Sequence, residues 1–169
     1  MTEFGMKTRK TARALLFDNA GRLLLVKMHD PSVGAADGAV VPHAYWVTIG
    51  GEIDAGEDVM VAVAREIREE TGLTDVRLGR AVWYAEHVLT VKGEPRLFQE
   101  TFVLAYTDDT NLSRAGWTEE EAQVIEHLKW WEMDALFASG DTFFPSSLKE
   151  NLLPLSDDLL PPTLLTIEP

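Results

Sequence analysis

Residues 51–73 constrain this chain more than any other stretch, because they join a glycine-rich loop to a short, strongly patterned helix. The loop is permissive, and Glu57 and Asp58 follow it at the place where a helix N-terminus favours negative charge. The apolar spacing predicts a helix that ends just before Gly72, a residue suited to a left-handed cap. Leu73 can then fold back as the apolar contact of that cap. The stretch predicts a loop, a helix and a stop.

Three acids of this helix, Glu66, Glu69 and Glu70, share about a third of its circumference. Glu70 falls inside the apolar arc, and the other two fall at its edge. The apolar arc is predicted to comprise Val59, Met60, Val63, Ala64 and Ile67. The acids therefore cannot all be ordinary solvated surface.

The spacing of the acids argues for a bound cation. Most glutamate-rich runs are solvated helix faces, but Glu66 and Glu70 form a like-charge pair four residues apart, which destabilises a helix. Glu69 alone has a helpful neighbour, Arg65, four residues before it. Partly buried carboxylates this close together need shifted pKa values or a cation, and hard oxygen ligands suit Mg²⁺ or Mn²⁺. The helix thus predicts a divalent metal site.

The same residues resemble the Nudix box. Its specified positions are matched by Gly51, Glu57, the run at 65–67, the paired acids at 69–70 and the pair at 72–73. A departure lies just upstream, where many members of the family carry proline and this chain has threonine and isoleucine before its paired glycines. The resemblance implies an α/β fold of the Nudix type, a mixed β-sheet sandwiched between α-helices.

The resemblance also implies roles for individual residues. The implied metal-binding set comprises Gly50, Glu57, Glu66, Glu69 and Glu70. In this set Gly50 acts through its backbone carbonyl and Glu57 as an orienting carboxylate. Arg65 steadies the acids by ion pairing, while Gly51 and Gly72 serve the structure of the motif.

The implied activity is hydrolysis of a diphosphate linkage in a nucleoside diphosphate derivative, with Mg²⁺ as cofactor and Mn²⁺ as an alternative. Features that mark the coenzyme A, ADP-ribose and diadenosine polyphosphate members are not found, which favours nucleoside triphosphates, including non-standard ones. The alternative is a module that binds or senses a nucleotide or sugar nucleotide without cutting it. A formal net charge of −13 argues against nucleic acid and anionic membranes as partners.

The catalytic group is not fixed by the motif. Glu66 and Glu69 are candidates within the helix, and Glu100 and the acidic run at 119–121 are candidates outside it. By strand alternation Glu100 shares a face with apolar residues, which is costly unless the carboxylate is paired or faces a cleft. A functional role and a buried salt bridge with an arginine both remain open for it.

Three further residues are candidates for binding the nucleotide substrate. Arg13 and Lys27 interrupt apolar strands, as cleft residues do, although an edge-strand charge or a snorkelling side chain would read the same way. Trp46 can stack on a base, or it can be a core tryptophan.

The remaining sequence favours one domain over residues 1–169, with a chain that is 46% apolar and contains no cysteine. The missing cysteines and the lack of a signal peptide or membrane span favour a cytoplasmic protein. A tail rich in proline and leucine from about residue 152 is expected to be extended and to pack on its own domain or on a second copy, as in a homodimer. Strands are predicted at 11–17, 22–28, 44–49, 75–91, 95–106 and 124–131, and the first two and the fourth and fifth are predicted to pair as hairpins. Loops are predicted at 30–43 and 107–117, and short helices opening at Thr118 and spanning 132–139 and 146–151. His87 is predicted to be structural.

Overall fold

The computed structural model describes residues 5–157 and 164–169. The strands are β1 (Lys7–Asp18), β2 (Leu23–Met28), β3 (Val33–Ala35), β4 (Tyr45–Glu52), β5 (Val76–Val91), β6 (Glu94–Thr107), β7 (Ile125–Trp131), β8 (Phe143–Phe144) and β9 (Leu165–Thr166). The helices are α1 (Val59–Thr71), α2 (Glu119–Val124), α3 (Met133–Ala138) and α4 (Leu148–Leu152), followed by a 3₁₀ turn at Leu153–Asp157.

The strands form one mixed sheet in the order β3-β5-β6-β1-β2-β4-β8, with β7 paired to β2 and β9 paired to β5. The predicted hairpins β1–β2 and β5–β6 are confirmed, because both pairs are antiparallel. Strand β1 lies at the centre, where it runs parallel to β6 and antiparallel to β4. This pairing places Arg13 of β1 beside Gly50 of β4, which leads into α1.

Two apolar clusters cover the two faces of the sheet. One contains Ala62, Val63 and Ile67 of α1. The other contains Leu136 of α3 and Leu148 of α4. The predicted sheet between helices is therefore confirmed. None of the helices in the described residues is long and apolar enough to cross a membrane.

Helix α1 has the predicted bounds, but its buried face is rotated from the predicted arc. Ala64 is exposed, whereas Ala62 is fully buried, so the prediction for Ala64 is wrong. Two alanines two residues apart look alike in sequence, and only contact with the sheet distinguishes them. Glu70 lies on the buried face, as its position in the arc predicted.

Two loop predictions also need correction. The stretch at 30–43 contains β3, which pairs with the end of β5. The tail is not extended from residue 152, because it first forms the 3₁₀ turn. Residues 164–169 are extended and pack on the same chain, with β9 beside Trp83 and Tyr84 and with Ile167 in the core. The part of the tail at 158–163 lies outside the described residues.

Candidate functional site

The end of β4 and the start of α1 bring the glycine loop against the acids of the helix. The Asp58 carboxylate accepts a hydrogen bond from the Met60 amide at 2.8 Å and caps the helix. A β-carbon placed on Gly51 would lie 2.7 Å from Oε1 of Glu66. A side chain at position 51 would therefore require the Glu66 carboxylate to move from this place.

Arg65 connects the acids around the loop. Its Nε donates to Glu57 at 2.8 Å, and its Nη1 donates to Glu66 at 2.9 Å and to Glu69 at 3.1 Å. The hydrogen bond from Arg65 is the first cause that lowers the pKa of Glu57 to about 2. One guanidinium thus holds three carboxylates of the motif in one place.

Glu70 is the most deeply buried of the three acids of the helix. Its Oε2 accepts a hydrogen bond from the Gly50 amide at 3.2 Å, and the residue is 8% exposed. Burial first, and the charge of Glu66 second, raise the pKa of Glu70 to about 8, and the charge of Glu121 acts in the same direction. Burial also raises the pKa of Glu66. Glu66 is paired with Arg65, whereas Glu70 makes no ion pair within the described residues.

The donor chemistry of this cluster fits a hard divalent cation, since it consists of carboxylate oxygens beside the Gly50 carbonyl. Within the described residues, however, no group of three or more His, Cys, Asp or Glu side chains is close enough together to hold a metal ion. Arg65 holds Glu66 and Glu69 in this state, and Glu70 is turned to a backbone amide. In this structure three of the acids converge on Arg65.

A loop after β6 closes the C-terminal end of α1. The indole Nε1 of Trp117 donates to the Glu70 carbonyl at 2.7 Å, and the Ser113 amide donates to the Thr71 carbonyl at 2.7 Å. Gly72 adopts φ 77°, the left-handed cap that the sequence predicted. The sequence indicated only a polar loop here, because a long-range hydrogen bond to a helix end leaves no local pattern.

Glu100 sits on the opposite face of the sheet in a dense set of contacts. Its Oε1 accepts from Thr11 at 3.2 Å and from Arg13 Nε at 3.1 Å, and His87 Nε2 lies 3.3 Å from its Oε2. Burial alone would raise the pKa of Glu100, but the charge of Arg13 and the contact with His87 outweigh it and lower the pKa to about 2. The carboxylate is held in its ionised form.

Arg13 links this face to the glycine loop. Its Nη1 donates to the Thr48 carbonyl at 3.4 Å and to the Gly50 carbonyl at 3.3 Å. A β-carbon on Gly50 would collide with the Ala12 carbonyl oxygen and lie 2.9 Å from Cδ of Arg13. Arg13 reaches the loop because position 50 has no side chain.

Lys27 and Trp46 contact each other on β2 and β4. The Lys27 Nζ lies 5.7 Å from the centre of the Trp46 ring and 3.8 Å from Glu126. Trp46 is 3% exposed, its Nε1 donates to Asp141 at 3.0 Å, and its ring packs edge-on against Trp131. The buried position agrees with a core tryptophan and leaves little of the ring for a base.

A model of the NUDIX domain matches residues 7–151 of this chain, which is most of its length. The chain belongs to the NUDIX family.

Two curated relatives are nucleoside triphosphatases named NudI from Klebsiella pneumoniae. The protein of subspecies pneumoniae strain ATCC 700721 / MGH 78578 is 37% identical over 91 residues, which cover 54% of this chain and 59% of the relative. The protein of strain 342 is 35% identical over 98 residues, which cover 58% and 64%. The matches thus span about three fifths of the length of these relatives.

Solved structures agree on the fold. The crystal structure of the MutT protein from Methanosarcina mazei Go1 has a TM-score of 0.65 at 18% identity, with 91% of this chain and 99% of that chain covered. At this identity the likeness concerns the NUDIX architecture alone.

The structure of this NUDIX chain brings the residues of the motif together and leaves two other candidates apart. Glu57, Glu66 and Glu69 meet at Arg65, and Glu70 meets Gly50. Lys27 pairs with Trp46 in the β2–β4 register, four residues along β4 from Gly50, which is about 13 Å. No feature of the sequence indicated this distance, because the sequence shows the motif residues and the pair Lys27 and Trp46 only by their positions along the chain.

Two residues on the sheet face of Glu100 were not among the predicted site residues. His87 was predicted to be structural, and it contacts Glu100. Arg9 lies on the same face of β1 as Arg13, and its guanidinium carbon is 5.3 Å from the centre of the Phe98 ring. The alternation of Arg9, Thr11 and Arg13 was the available signal, because alternate residues of a strand share a face.

Proposed function

We propose that this NUDIX protein is a divalent-metal-dependent pyrophosphohydrolase that cleaves a diphosphate linkage in a nucleoside diphosphate derivative. Nucleoside triphosphates, including non-standard ones, are the favoured substrates. The curated relatives that are named nucleoside triphosphatases support this choice. The observation that carries the proposal is the buried carboxylate of Glu70, placed beside Glu66 on α1 with its pKa raised to about 8.

The acids of α1 hold the cation in this proposal. Glu66, Glu69, Glu70 and the carbonyl of Gly50 are the ligands, Mg²⁺ is the preferred ion and Mn²⁺ the alternative. A bound divalent ion supplies charge neutralisation of the diphosphate and activation of water. Burial of the Glu70 carboxylate beside a second carboxylate costs free energy that a bound cation would offset, which is why the donor set fits the ion.

The other residues of the motif position these groups. Glu57 fixes Arg65, and Arg65 in turn directs Glu66 and Glu69 toward the glycine loop. Gly51 leaves the space that the Glu66 carboxylate needs. These roles follow from contacts within the chain and need no substrate contact by Arg65.

Glu69 is the proposed general base. Its side chain is 44% exposed, so a water molecule and a substrate can reach it. Glu100 fits that role poorly, because its pKa is lowered to about 2 and its oxygens are engaged by neighbouring side chains. We assign Glu100 to positioning Arg13.

The test is release of phosphate and pyrophosphate from a panel of nucleoside triphosphates, dinucleotides and nucleotide sugars with Mg²⁺ or Mn²⁺. The intact chain is compared with Glu69→Gln and Glu70→Gln, and with Glu150→Gln, an exposed glutamate of α4, as the matched control. Loss of turnover by about 100-fold or more in the first two variants only is the expected result. An intact chain that cuts nothing, while a nucleotide raises its melting temperature, would instead indicate a binding module.

A further inference from the structure

Two arginines share one partly buried face of β1 in a chain whose formal net charge is −13. Arg9 and Arg13 are four residues apart on a strand, and their side chains are 35% and 21% exposed. Like charges on one half-buried face repel each other and lose solvation. Such a pair is therefore costly unless an anion compensates it.

Arg9 is incompletely compensated by the protein. Its nearest ion-pair contact is Glu52, whose Oε2 lies 3.8 Å from Nε. In the described residues Nε is buried and has no hydrogen-bond acceptor. Burial, with a smaller contribution from the charge of Arg13, lowers the pKa of Arg9 in spite of Glu52. The guanidinium lies against Phe98, which fixes its position but supplies no anion.

Arg13 is held firmly on one side only. Nε is bound by Glu100, and Nη1 is bound by the carbonyls of Thr48 and Gly50. Within the described part of the chain, Nη2 takes part in none of these hydrogen bonds. Gly50 connects this side chain to α1, because its carbonyl accepts from Arg13 and its amide donates to Glu70.

We propose that Arg9 and Arg13 form an anion site that binds one phosphate group of the substrate without a metal ion. This inference rests on the proposed function, because it adds a phosphate contact beside the glutamates that would hold the metal. Guanidinium groups bind phosphate oxygens through paired hydrogen bonds. The substrates favoured by this arrangement carry three or more consecutive phosphates, of which two lie at α1 and the next lies at the anion site.

The experiment is calorimetric titration of inorganic tripolyphosphate into the intact chain at low ionic strength with excess EDTA. Binding is expected without metal, and Arg9→Gln and Arg13→Gln should each weaken it by about tenfold or more. Arg77→Gln is the matched control, since Arg77 is exposed and pairs with Asp108 on the surface. Pyrophosphate should bind more weakly than tripolyphosphate.

Two results would overturn the proposal: no binding by the intact chain in EDTA, or equal binding by the control and both arginine variants. Arg9→Gln remains decisive if Arg13→Gln fails to fold, because the contacts of Arg9 with Glu52 and with the Phe98 ring are looser than the hydrogen bonds of Arg13. Glu70→Gln separates the two proposals. If the intact chain hydrolyses nothing but its Glu70→Gln variant still binds tripolyphosphate in EDTA, the hydrolase proposal is contradicted and the anion site is kept. If the intact chain hydrolyses its substrate but tripolyphosphate binding does not depend on the arginines, the anion site is contradicted and the hydrolase proposal is kept.

Discussion

Glu70 and Glu100 are buried to the same degree, 8% and 7% exposed, yet they are driven to opposite ionisation states. Glu70 accepts a hydrogen bond from a backbone amide and lies near a second carboxylate, and its pKa rises to about 8. Glu100 is contacted by a hydroxyl, a guanidinium and an imidazole, and its pKa falls to about 2 despite burial. Burial sets the cost of a charge, but the neighbours decide whether the charge is kept.

The largest expected effect tests the neighbour that keeps Glu100 charged. Arg13→Ala removes the guanidinium and leaves the buried carboxylate with Thr11 and His87 as its side-chain contacts among the described residues, so we expect a loss of about 3 kcal/mol in the free energy of unfolding. Denaturant titration at neutral pH measures it. The double variant Arg13→Ala with Glu100→Gln should recover part of the loss. Equal stability of Arg13→Ala and the intact chain would contradict the comparison.

Lowering the pH should remove the stabilisation of the folded state that the ionised Glu100 carboxylate provides. Its pKa is below the ordinary 4.5, so its stabilisation is present above about pH 4.5 and is lost as the pH falls toward about 2. We expect Glu100→Gln to cost about 2 kcal/mol at pH 7 and progressively less below pH 4.5. Melting temperatures across this pH range give the difference. A constant difference between variant and intact chain would mean that the ionised form is not what Glu100 contributes.

Glu70 should show the reverse dependence when metal is removed. Its pKa is above 4.5, so in EDTA its favourable contribution is present below pH 4.5 and is lost as the pH rises toward about 8. We therefore expect Glu70→Gln to be more stable than the intact chain by about 1 kcal/mol near pH 8.

Addition of Mg²⁺ is the control for that experiment. The ion should raise the melting temperature of the intact chain and change that of Glu70→Gln much less, because binding to the folded state alone stabilises it. If Mg²⁺ raised both melting temperatures equally, Glu70 would not be a ligand.

The smallest effect is expected at His87. His87→Gln weakens the contact with Oε2 of Glu100 and leaves Arg13 in place, so a loss of about 1 kcal/mol or less is expected. The decisive readout is the carboxyl titration of Glu100 by NMR, whose pKa should rise in the variant. A variant at His29, a partly buried histidine hydrogen-bonded to the Val41 carbonyl, provides the control and should leave that titration unchanged.

The sequence predicted α1 and the β5–β6 hairpin well because their signals are local. Caps, glycine positions and apolar spacing all lie within the element that they define. The apolar spacing of the helix was likewise enough to predict that Glu70 lies on the buried face, where a carboxylate is costly. The same local information could not choose between Ala62 and Ala64, because that choice is made by the sheet against which the helix packs.

The parts that escaped prediction depend on partners distant in the chain. The strand at Val33–Ala35 exists because it pairs with the end of β5. Glu100 gains its ionised state from residues on β1 and β5, and its alternatives stayed open until the parallel register of β1 and β6 was known. Trp46 is fixed by Asp141, almost a hundred positions away. Pairing of this kind has no counterpart in a single stretch of sequence.

The hydrogen bond from Trp117 to the carbonyl of Glu70 gives the end of α1 an optical reporter. The indole is bound at its ring nitrogen, and the guanidinium carbon of Arg114 lies 5.0 Å from the ring centre. Indole emission responds to hydrogen bonding at the ring nitrogen and to nearby charge. A displacement of the Glu70 backbone is therefore converted into a change of colour and intensity in the fluorescence of Trp117.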